Sequence, residues 1–157
     1  MLAYQLRHAT GSVELTLDSG RFVVKTQGTG LADKLRTIDV SVGELTHFCI
    51  VPTIGAQNMV ARGVSDGSFD AELVFSYVSA GKPGKKRLFV NSRDPAFMQI
   101  ISSLAASRPD ASLLQLDPQE ALRRIGVMSA SKALWVILAV VIAIPVIITI
   151  IASIASR

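Results

Sequence analysis

The chain has 157 residues, half of them hydrophobic, a formal net charge of +4 and a single cysteine, Cys49. One cysteine excludes an internal disulfide framework and suits a reducing compartment. The charge is too small to argue for nucleic acid, and no basic and aromatic platform for stacking bases is visible.

Val13, Leu15 and Leu17 alternate with Glu14, Thr16 and Asp18. That is the period-2 pattern of a half-buried strand. Asp18-Ser19-Gly20 then predicts a tight turn, and Arg21 to Thr26 a return strand with Phe22 and Val24 on one face. Gln27 to Asp33 reads as a loop. Thr37 to Val42 is a further strand, Gly43-Glu44 a turn, and Thr46 to Val51 the strand after it, ended by Pro52. Cys49 lies in that last run, HFCIV, where a packed core thiol is expected rather than a nucleophile. Met59 to Arg62 is a candidate short strand, Phe69 to Ser79 a long one, and Lys85 to Asn91 its partner. Ala80-Gly81-Lys82-Pro83-Gly84 has the composition of the joining loop.

The period then changes from two to about 3.6. Asp94-Pro95 is a helix start, since aspartate caps and proline suits the first helical position. Phe97, Ile100, Ile101, Leu104 and Ala105 share one helical face, and Arg108-Pro109 ends it. Asp117-Pro118-Gln119-Glu120 starts a second, short amphipathic helix, within a juxtamembrane linker expected at 110–132.

The last part of the chain, Ala133 to Ser156, is a run without charge. As a helix it is long enough to cross the roughly 30 Å hydrocarbon core. In lipid such a segment must satisfy its own backbone, so a helix is expected despite its β-branched residues. The N-terminus shows no signal-peptide pattern. Arg123, Arg124 and Lys132 flank the upstream end, against Arg157 downstream. The expected arrangement is therefore a single-pass, tail-anchored protein of the cytoplasmic membrane, with its N-terminal domain in the cytoplasm. Trp135 stands where an interfacial aromatic belongs, and Ala139 and Ala143 form a small-xxx-small pair that permits close helix approach without requiring it.

About seven strands followed by one amphipathic helix suggest a small antiparallel barrel plugged at one end. The stretches RTIDVSVGELTHFCIV, FDAELVFSYVSAG, KKRLFVNS and DPAFMQIISSL carry a resemblance to the pleckstrin-homology-like (PH-like) superfold of bacterial membrane-associated domains. The resemblance covers about Ser12 to Pro109, and the domain is taken as 1–109 with a capping helix near 94–108. It implies binding of a protein partner, a peptide or a phosphoinositide. Phosphoinositide-binding members carry basic residues in and after the loop between their first two strands. Here that loop is read as Asp18-Ser19-Gly20, followed by Arg21 and Lys25, and Asp18 would repel a phosphate.

The densest positive cluster is Lys82, Lys85, Lys86 and Arg87, with Arg93 nearby. It reads either as a hairpin tip for anionic lipid or an acidic partner, or as a solvated turn whose lysines blunt a sheet. Arg123 and Arg124 read as topology determinants or as lipid contacts, with topology favoured. His8 and His47 are isolated, and no metal, thiol-pair or phosphate-loop motif appears, so neither metal nor cofactor is expected. The leading expectation is a non-enzymatic protein-interaction module at the membrane. The alternatives are a sensor of anionic lipid through 82–87 and a membrane-tethered enzyme.

Overall fold

The computed structural model describes residues 1–8, 11–28, 35–53 and 69–127. The expected membrane helix 133–156 lies outside the described residues, with Lys132, Trp135, Ala139 and Ala143, and so does the candidate strand at 59–62. Among the described residues no helix is long and apolar enough to cross a membrane.

Seven strands form two antiparallel sheets. The first sheet has four strands in sequence order: β1 (Leu2–His8), β2 (Gly11–Asp18), β3 (Arg21–Gly28) and β4 (Arg36–Ser41). The second has three, β5 (Leu45–Pro52), β6 (Ala71–Ser79) and β7 (Lys82–Val90). No ladder joins the sheets among the described residues, so the expected mainly-β fold is present but as two sheets around one core and not as a closed barrel.

Strand β1 is an addition to the elements expected from the sequence. Its apolar residues on the core side are only Leu2, Tyr4 and Leu6, too few to stand out beside Arg7 and His8. In register they face Leu17, Leu15 and Val13 of β2. The consequence is an offset of one strand. Asp18-Ser19-Gly20 joins the second and third strands, and the first two are joined at His8 to Gly11. Asp18 therefore does not stand in the loop between the first two strands, and its charge does not bear on an anion site there.

Alternation places Tyr4, Val13, Leu15, Phe22, Val24 and Val40 in the core from the first sheet. Phe48, Leu73, Phe75, Leu88 and Val90 enter from the second. Phe22 and Phe75 meet edge to face at 5.5 Å and tie the sheets together. Helix α1 (Pro95–Ser107) is capped by Asp94, whose carboxylate accepts from the Ala96 and Phe97 amides. It packs on β1 and β2 with Phe97, Ile100, Ile101 and Leu104, the face expected from its spacing. Phe97 lies 5.3 Å from the ring of Tyr4, whose hydroxyl accepts from the Asn91 amide.

A 3₁₀ turn, Val42–Glu44, links the sheets. The Arg108 guanidinium donates to the carbonyls of Val42 (3.0 Å) and Gly43 (2.7 Å) and also pairs with Asp110, fastening the end of α1 to that turn. The Asp110 carboxyl is held below the usual carboxylate range by this partner.

Residues 110–127 contain the expected short helix, α2 (Pro118–Ile125), but they are packed rather than free. The Phe48 amide donates to the Ala111 carbonyl, and the Leu113 amide to the Phe48 carbonyl, both at 2.9 Å. This strip covers the outer edge of β5, which would otherwise invite pairing with another chain. Helix α2 then lies on the outer face of the second sheet. There Leu113, Ala121, Leu122 and Ile125 bury Cys49 and Val74 in a second apolar cluster.

Candidate functional site

The β6–β7 turn is tighter than its composition suggests. Ser79 pairs with Lys82, leaving Ala80 (φ 50°) and Gly81 (φ 75°) as a two-residue turn. Lys82, Pro83 and Gly84 belong to β7 instead of the loop. Proline is tolerated because β7 is an edge strand.

The basic cluster is thereby divided. Lys85 and Arg87 alternate with Lys86 along the strand, so neighbours point to opposite sides. The Lys85 ammonium donates to the Gly126 carbonyl at 2.9 Å. Arg87 pairs with Glu72 on the adjacent strand. Arg93 lies 3.5 Å from Asp70, which also accepts from the Ser92 amide and hydroxyl. Lys82 stays exposed beside the turn. Arg123 and Arg124 are exposed on α2, both paired with Glu120. These residues do not form one site.

A different set of side chains converges where β1, β2 and β3 end and β7 approaches β2. The ladder aligns His8 with Gly11 and Gly11 with Gly28, and Arg7 with Ser12 and Ser12 with Gln27. Two open depressions of about 520 and 310 Å³ share His8, Ser12, Gln27 and Gly28 and adjoin as a groove around this end of the sheet. Gly11 belongs to its floor with φ 150°, and a β-carbon there would stand 2.2 Å from the Gln27 carbonyl oxygen. The groove depends on that close backbone approach.

The wall is cationic. Arg7 and Lys25 line the larger depression, and Arg36, Lys86 and Arg87 the smaller. Glu14 is the acid among the lining residues, and Lys25 already pairs with it at 3.2 Å. Arg7, Arg36 and Lys86 have no ion-pair partner among the described residues. Aromatic rings support one side: Phe69 stacks on Phe89 at 4.5 Å, and His8 meets both edge-on at 5.9 and 6.1 Å. Such a wall attracts anions, and its openness leaves it hydrated.

Of the residues singled out in the sequence, Lys86 and Arg87 enter this groove, and Lys82, Lys85, Arg93, Arg123 and Arg124 do not line it. Arg7, His8, Lys25 and Arg36 carry no local signal that marks them as one site. They are scattered through thirty residues and come together only through the register of β1 to β4. Cys49 is no part of the groove. It is 1% exposed, and burial pushes its thiol up to about 11. Among the described residues no group of three His, Cys, Asp or Glu is placed to hold a metal.

No family model, curated protein or solved structure matches the chain.

Proposed function

We propose that this chain is a non-enzymatic, membrane-tethered interaction module whose groove receives an acidic segment of a protein partner at the cytoplasmic face. One observation carries the reading: Arg7, Arg36 and Lys86 line two adjoining open depressions and have no ion-pair partner among the described residues. A bound carboxylate would supply the missing partners, and the two joined depressions suit an extended segment better than one compact group. Consecutive antiparallel strands in sheets of four and three, followed by a helix on the first two, support a PH-like architecture. The uncharged run 133–156, flanked upstream by Arg123, Arg124 and Lys132, supports the tether.

The test uses the full chain in nanodiscs of uncharged lipid. A fluorescent peptide rich in Asp and Glu is titrated beside its Asn and Gln counterpart. The acidic peptide should bind more tightly, and added salt should erase the difference. Equal binding of the two peptides, or tight binding of anionic vesicles with none of the acidic peptide, would overturn the reading.

A further inference from the structure

We infer that the β6–β7 turn and the C-terminal end of α2 form one platform that rests on an anionic bilayer surface, distinct from the groove. The inference stands on the reading of 133–156 as a membrane span.

Its basis is the contact between Lys85 and Gly126. The ammonium of Lys85, in β7, closes on the carbonyl of Gly126, the C-cap of the helix that precedes the span. Helix α2 is itself seated by Ala121, Leu122 and Ile125 against Cys49 and Val74. The connection to the membrane is therefore not the whole stretch from Asp110. Six residues, Val127 to Lys132, separate Gly126 from the span at Ala133, seven steps along the chain. Fully extended, they reach at most roughly 25 Å. Lys85, which holds Gly126, is confined to nearly the same distance from the point of entry, and the turn at Ala80 lies five residues farther along the strand.

The charges match such a surface. Lys82 is exposed and has no ion-pair partner among the described residues. Arg123 and Arg124 are exposed close to Gly126, and Glu120 compensates only one of their two charges. Arg123 holds the Glu120 carboxyl below its usual range, so it stays ionised. Lys85 also places a cation on the helix C-terminus, whose negative dipole end would otherwise face anionic lipid. Lys86 points to the other side of β7, lines the groove and takes no part in the platform.

The platform is tested on the full chain in nanodiscs with an energy acceptor in the lipid headgroups. A fluorophore is placed by A80C at the hairpin turn or by T37C on β4 of the other sheet. Buried Cys49 does not compete for the label. In discs containing phosphatidylserine, energy transfer from position 80 should exceed that from position 37. The excess should shrink in uncharged lipid and in high salt. Each cation near such a surface changes the ratio of seated to unseated protein about fivefold. K82E combined with R124E should therefore lower that ratio at least tenfold, in keeping with the same per-charge effect. Equal transfer from both positions, or transfer from position 80 that ignores lipid charge and the double variant, would overturn the platform and leave the membrane span standing. A chain that discs do not retain would overturn the span, and the platform with it.

Discussion

The Lys85 ammonium and the Gly126 carbonyl, 41 residues apart in sequence, meet at 2.9 Å and fix the end of the last described helix to the last strand. Gly126 sits at φ 72°, and a β-carbon there would lie 2.6 Å from that ammonium. Gly126→Ala should therefore cost about 1–2 kcal/mol in left-handed strain. It should also push Lys85 out of its hydrogen bond. Denaturant unfolding of residues 1–127 would show a lower midpoint at unchanged slope.

Where the folded unit ends is a second outcome. A chain ending at 127 keeps the second apolar cluster, whereas one ending at 110 loses Ala111, Leu113, Ala121, Leu122 and Ile125 and bares Cys49, Val74 and the β5 edge. The longer form should be monomeric and its thiol inert to maleimide at neutral pH. The shorter should react at Cys49 and aggregate. Light scattering beside a labelling time course separates the two.

Alkaline pH should expose the same burial. The Cys49 thiol has its ordinary value near 9.0 when unfolded and about 11 when folded. Below 9 both states hold the proton, and this group gives no pH dependence. As pH rises through the folded value, the unfolded chain ionises first, and stability falls by up to about 1.4 kcal/mol per unit. Tyr4, also raised by burial, adds to the loss above 10. Cys49→Ala should flatten the slope between pH 9 and 10, read as unfolding midpoints across that range.

Gly11 tests the groove floor. Any β-carbon there collides with backbone of Gln27, which cannot swing away as a side-chain tip would. Gly11→Ala should cost about 1–3 kcal/mol by overpacking. Amide exchange should speed up at Ser12, Gln27 and Gly28 before it does at Leu73 or Phe75.

How far the sequence can be read depends on how local each signal is. The α1 face is legible because Asp94, Pro95 and the spacing of Phe97, Ile100, Ile101 and Leu104 act within four turns. The strand–turn–strand around Val42–Glu44 is legible for the same reason, its Ser41 amide donating to the Glu44 carboxylate as a local cap. β1 escapes notice because three apolar residues make a weak alternation until β2 stands beside them. The packing of α2 is hidden because Cys49 and Val74 sit on the face of their strands opposite Phe48 and Phe75, and only a second layer explains an apolar residue there. The groove is illegible because strand pairing and packing, not sequence, bring Arg7 beside Ser12 and Gln27 and place Arg36 in one depression with Lys86.

The measurement that bears most directly on the central claim compares two charge reversals for binding of the acidic peptide to the full chain in uncharged nanodiscs. R36E with K86E alters the groove, and K82E with R124E alters the turn and helix end. Fluorescence anisotropy should show the first pair weakening the peptide by up to about thirtyfold, from two pairings of up to roughly 1 kcal/mol each. The second pair should leave the affinity within about twofold, as expected of exposed residues away from the site. Equal losses from both pairs, or none from the first, would contradict a groove that receives the partner.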